Sequence, residues 1–172
     1  MRWHGMSLFA AAAVVLLGLI ASPASALAQG GTVLKAADTQ KLLPDTVWYK
    51  GQSAPAQKRN SGGVKFADGS YVLATLVDNS GYASDVAAKY QAWFVAESAI
   101  KIAGQTLQPG VYGVGFIGDN KFAVTDIGAH DVFSVSSSTD ETMKRPTPLQ
   151  FTTDPAGGFR LYAGRRYVTF TR

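Results

Sequence analysis

From Thr46 to the C-terminus the chain is a run of short apolar stretches, each ended by a glycine-rich or polar turn. Apolar and polar positions alternate within the stretches, which is the period of a strand. Turn signals at roughly 8–12-residue spacing belong to sandwiches and barrels. The pattern predicts one all-β domain, an antiparallel β-sandwich or flattened barrel of about 8–10 short strands. Helical signals are confined to single turns, one from Asp38 that Pro44 stops and one over Asp85–Lys89 capped by Ser84. The domain is expected over 46–172, after an N-terminal segment 29–45, with a long surface loop at 136–148.

Several hairpins carry their own register. In FRLYAGRRYVTF, a two-residue Gly164-Arg165 turn sets Tyr162 against Tyr167, Leu161 against Val168 and Phe159 against Phe170. The apolar residues then share one face, and a slip of one residue would scramble both faces. Asp68-Gly69 reads as a type I′ turn that sets Phe66 against Tyr71 and Val64 against Leu73. Gly104-Gln105 and Asp119-Asn120 read as further two-residue turns. KYQAWFVAES reads as a strand with Tyr90 and Phe94 on one face and Gln91, Trp93, Val95 and Glu97 on the other.

YGVGFIG, residues 112–118, contains G-x-G-x-x-G, the glycine fingerprint of dinucleotide sites. That fingerprint needs a helix after its third glycine. Here DNKFAVTDIG alternates with period two, so a strand follows. Gly113 and Gly115 instead share one strand face and leave a shallow trough, expected opposite Asp126 and Val124. An aromatic such as Trp93, or a ligand, must fill it. The speculative ligand site is therefore Trp93, Tyr112, Gly113 and Gly115, with Gln91 and Asp126 as polar candidates.

The ends and the composition place the chain. MRWHGMSLFAAAAVVLLGLIASPASALAQ runs from basic to apolar to small-x-small, the order of a cleaved signal peptide ending at Ala28. Export to the periplasm or the medium follows, with no membrane span after cleavage. Cysteine is absent, so no disulfide framework supports the fold. Losing Arg2 leaves 15 Lys+Arg against 12 Asp+Glu, a net charge of +3. The positives occur as scattered pairs, which argues against nucleic acid.

Catalytic chemistry has little to draw on. His130 is the one histidine left after cleavage, and its sequence neighbour Asp131 would point to the opposite strand face. One histidine without cysteine makes no ordinary zinc site, so neither metal nor cofactor is expected. Most aspartates stand in turn contexts.

The segment AIKIAGQTLQPGVYGVGFI, with GQSAPAQKRNSGG, VDNSGY, KYQA and DNKFAVTD, resembles an uncharacterised family of small exported bacterial all-β proteins. That resemblance implies a fold class and a compartment and supplies no catalytic residue. The expectation is an exported, non-enzymatic binding or envelope-associated module whose partner is a glycan, a peptide or a protein. The alternatives are a lipocalin-like carrier with an interior apolar pocket and, third, a hydrolase. A filled inter-sheet core favours the module and an interior pocket the carrier.

Overall fold

The computed structural model describes residues 30–172, so the expected leader 1–28 lies outside the described residues. Along the chain come β1 (Gly31–Leu34), α1 (Ala36–Thr39), β2 (Thr46–Tyr49), β3 (Gln52–Phe66), β4 (Tyr71–Val77), α2 (Ser84–Lys89), β5 (Ala92–Ala96), β6 (Ile100–Ile102) and β7 (Gln105–Leu107). There follow β8 (Gly110–Ile117), β9 (Lys121–Asp126), β10 (Asp131–Ser136), β11 (Ser138–Thr139), β12 (Gln150–Thr153), β13 (Phe159–Ala163) and β14 (Arg166–Thr171). They build an all-β sandwich. The eight-stranded sheet has the order β1-β3-β4-β5-β8-β9-β10 with β2 also on β3, and the six-stranded sheet the order β12-β13-β14-β6-β7 with β11 on β14.

The facing sides of the two sheets are closed by apolar side chains. Phe94, Phe116, Phe122 and Val124 of the large sheet meet Leu161, Val168, Phe159 and Phe170 of the small one. A cavity of about 10 Å³ opens beside Val114, Phe116, Phe122 and Leu161. The β13–β14 pairing has the register its sequence dictates: Tyr162 opposite Tyr167, Leu161 opposite Val168, Phe159 opposite Phe170.

The other hairpins turn one residue away from the expected place. At Asp68-Gly69 the pairs are Val64 with Val72 and Lys65 with Tyr71, so the loop is longer than two residues. Val64, Phe66, Val72 and Ala74 all face the core in this register. Gly69 takes φ 89, and the Asp68 carboxylate accepts from the Ser70 N–H and hydroxyl at 3.0 and 2.7 Å. The β6–β7 turn is Ala103-Gly104, both with positive φ, rather than Gly104-Gln105. Between β8 and β9 the loop is Gly118-Asp119-Asn120, with φ 38 at Gly118 and 55 at Asn120. Gly113 therefore stands opposite Thr125 and Gly115 opposite Ala123, not Asp126 and Val124. Core packing decides this: Val114 with Val124 and Phe116 with Phe122 both point inward only in the observed register.

Two expected boundaries also move. The segment 29–45 is no separate lead-in, because β1 pairs with the far end of β3, Gly31 opposite Phe66. The stretch 136–148 is not all loop: Ser138 and Thr139 pair with Tyr167 and Arg166. Past β11 the chain is tied back by Arg165 Nε donating to the Met143 carbonyl at 3.0 Å and Tyr162 OH donating to Asp140 at 3.3 Å.

Candidate functional site

The glycine pair was expected to be covered by an aromatic or a ligand, and the chain itself covers it. On the outer side of the large sheet a second small core joins Val47, Tyr49, Ala54, Val77, Tyr82, Val86 and Tyr90. The Tyr49 and Tyr90 rings stack at 3.8 Å and 11°, directly over Gly113. Tyr49 OH bonds Thr125 Oγ1 at 2.6 Å, and Thr125 in turn donates to the Gly113 carbonyl at 3.0 Å. Burial pushes the Tyr49 phenol up, against the pull of the Thr125 bond, and burial raises the Tyr90 phenol further. Gly115 lies under the C-terminal carbonyls of α2, with Lys89 O placed 2.7 Å from where a Cβ would stand. Asn79 Nδ2 satisfies that helix end by donating to Ala87 O and Tyr90 O at 2.9 and 2.8 Å.

Trp93 is therefore not the filler. It pairs across from Gly113 and packs only partly on the outer core. Tyr90 faces this outer core rather than the face of Phe94, because the backbone turns at the end of α2 (φ −104, ψ 74). The six sequence candidates do not share one surface. Gln91, Trp93, Gly113 and Gly115 belong to the outer side, whereas Tyr112 packs against the inter-sheet core, its hydroxyl donating to Gln108 O at 2.9 Å. Gln91 acts as a backbone substitute: its Oε1 accepts from Phe116 N at 3.0 Å while its Nε2 donates to Phe116 O at 3.1 Å. Asp126 organises a turn, accepting from Gly128 N at 2.8 Å and from His130 N at 3.0 Å. The His130 backbone N–H leads the interactions that hold the Asp126 carboxyl below the usual range.

His130 pairs with Asp126, Nδ1 to Oδ2 at 3.0 Å, on a side chain that is 82% exposed. Its neighbour Asp131 is taken by Lys89 at 2.7 Å. No group of three His, Cys, Asp or Glu that could hold a metal occurs among the described residues. Among the aromatic rings, Trp48 is 66% exposed, while Tyr49, Tyr82, Tyr90 and Tyr162 are buried.

Beside that outer core lies a hollow of about 120 Å³ lined by Tyr49, Lys50, Lys89 and Thr125, and a larger concavity lies elsewhere. β1 and β12 begin the two sheets and lie at the same end of the sandwich, with β12 also packed on β3. Between them opens a groove of about 330 Å³. Val33, Leu34, Leu149 and Phe151 give it an apolar floor, and Lys35 and Arg59 stand among its lining residues. Arg59 lies in a bulge: Gln57 pairs with Leu76 and Ser61 with Thr75, so Lys58, Arg59 and Asn60 leave the ladder. Buried hydroxyls pin this bulge. Ser61 Oγ donates to Lys58 O at 2.5 Å, which leaves Thr39 Oγ1 to donate to Ser61 at 2.7 Å. Gly62 lets β3 lie against the floor, since a Cβ there would stand 3.0 Å from Phe151 and 3.2 Å from Leu34 O.

Sequence reasoning missed this groove because its lining comes from segments more than 80 residues apart, 33–36 and 59–61 against 147–151. The one local signal was KRNSGG, polar and glycine-rich inside what proves to be a single long strand. A search of family models, of curated proteins and of solved structures finds no match to the chain.

Proposed function

We propose that the protein is an exported, non-enzymatic binding module that takes its partner in the groove between β1 and β12. The observation that carries this is the distribution of space: about 330 Å³ at the seam against about 10 Å³ between the sheets. A cleft of roughly 300 Å³ reaches the range of ligand sites, whereas about 10–15 Å³ holds one water. That contrast favours the module over an interior carrier. The exposed His130–Asp126 pair serves a turn, which weighs against the hydrolase reading. The basic, apolar, small-x-small order of residues 1–28 supports export to the periplasm or the medium.

Native mass spectrometry of the protein purified from its own host tests this. A retained mass, or binding of added ligands, should disappear in Ala36→Trp, which fills the groove from α1, while circular dichroism stays unchanged. Ligand retention or capture that Ala36→Trp leaves intact would overturn the assignment.

A further inference from the structure

Resting on that groove as the binding site, we infer that its ligand is an anionic amphiphile, with one carboxylate or phosphate head and a short apolar tail. Charge distribution is the first support. Residues 30–60 hold Lys35, Lys41, Lys50, Lys58 and Arg59 against Asp38 and Asp45, whereas 61–172 hold equal numbers of cations and carboxylates. The whole +3 excess of the described chain therefore falls in the segment that builds one wall of the groove. The second support is the pairing pattern. Asp45 takes Lys58 at 2.5 Å, leaving its neighbour Arg59 as the cation that faces the groove. Asp38, the nearest carboxylate to Lys35 in sequence, accepts from the Lys35 backbone N–H at 3.0 Å. Neither Arg59 nor Lys35 has a carboxylate partner among the described residues, and no acidic residue lines the groove.

The third support is construction. Arg59 is held out of the ladder by a bulge that two buried hydroxyls fix in place. A planar guanidinium offered from a fixed backbone suits bidentate binding of a carboxylate or phosphate, and Lys35 adds a point charge. Below them the floor is aliphatic and aromatic, with the Asn60 and Gln150 amides at its margin. A head without a tail would leave that floor wet, and a tail without a head would leave the cations unanswered.

The test titrates the protein, expressed with its own leader and purified after export, with decanoate, decyl phosphate, decanol and acetate by calorimetry. Decanoate or decyl phosphate should bind, with decanol and acetate each at least about tenfold weaker. Arg59→Glu should weaken decanoate about tenfold or more, while Lys101→Glu, the same charge change at the exposed middle position of β6, should leave it within about twofold. Decanol binding as tightly as decanoate would overturn the anionic head, as would equal losses from Arg59→Glu and Lys101→Glu. If decanol then still fails to bind Ala36→Trp, the groove remains the site and only the ligand class falls. Binding of all four probes that Ala36→Trp leaves intact, or no binding at all, removes both. Sedimentation with phosphatidylglycerol vesicles that decanoate reverses would assign the head to a bilayer lipid. Decanoate binding without such sedimentation would assign it to a free acid.

Discussion

Replacing Gly113 by alanine tests how the outer layer is locked to the sheet. The new methyl would stand 2.5 Å from Tyr49 Cε2, 2.8 Å from Thr125 Oγ1 and 2.9 Å from Tyr90 Cδ2. All three neighbours are buried, and the tyrosine rings are stacked, so neither ring can slide without opening the stack. Overpacking of this kind costs about 1–3 kcal/mol. Alanine recovers about 0.5–1 kcal/mol from the backbone entropy that glycine loses in a strand. Contacts of 2.5–2.9 Å to buried neighbours put the cost in the upper half of that range, so the net expectation is a destabilisation of about 1–2 kcal/mol, or roughly 3–6 °C in Tm for a domain of this size. Urea and thermal unfolding followed by circular dichroism measure it. The reasoning also fixes the cause. In a Tyr49→Leu background the closest of the three obstructing atoms is gone, so Gly113→Ala should cost about 1 kcal/mol less than in the parent. A neutral or stabilising Gly113→Ala, or a cost unchanged by Tyr49→Leu, would refute the account.

Three further outcomes are expected. Ser61→Ala should destabilise by about 1–2 kcal/mol in urea melts, because Lys58 O loses its donor and the buried Thr39 hydroxyl keeps only the longer contacts to Lys35 O and Ala36 O at 3.3 and 3.4 Å. Asp154 is buried and bonded to Arg160 Nε at 3.1 Å and to Ala156 N at 2.9 Å. Burial raises its carboxyl pKa, but Arg160 and the Ala156 N–H together outweigh that and hold it below the ordinary value. Its folded value lies below its unfolded one, so this contribution is complete above about pH 4 and is lost as acid protonates the folded carboxyl. Asp154→Asn should therefore cost about 2 kcal/mol near neutrality, and its urea midpoint should approach the parent's as the pH falls below about 4. His130→Ala should change stability by no more than about 0.5 kcal/mol in the same melts, since the exposed ring serves only its own turn.

The sequence made the sandwich legible where turn chemistry and apolar alternation agreed. FRLYAGRRYVTF is the clear case, since Gly164 takes φ 62 and both faces follow. It misled where a favoured dipeptide suggested a two-residue turn while the inward residues needed a different one. Asp68-Gly69 and Asp119-Asn120 both lie inside longer loops, because Val64, Phe66, Phe116 and Phe122 must point inward. The glycine pair was legible as a trough but its cover was not. Tyr49 comes from β2 and Tyr90 from the end of α2, and no local pattern states that a distant hairpin and a helix will meet over one strand. Trp93 was the neighbour that strand arithmetic could reach, and the filler arrived from β2 and the end of α2.

The groove follows from how one strand shares its edge. β3 offers residues 52–55 to β2 and 63–66 to β1, along the same side. Neither short strand covers the positions between, so the ladder on that side has a gap where α1 and the bulge sit. A gap in an edge exposes unpaired backbone, which natural sheets blunt with bulges, charges or a covering helix. All three devices occur here: the bulge at Lys58–Asn60, the charge of Arg59, and α1, whose Thr39 hydroxyl reaches Ser61. Edge protection alone would account for a charge pointing into solvent. It does not account for Arg59 and Lys35 standing without carboxylate partners over an apolar floor, because a protective charge needs no hydrophobic surface beneath it. That combination is what the proposed anion site accounts for and a blunted edge does not.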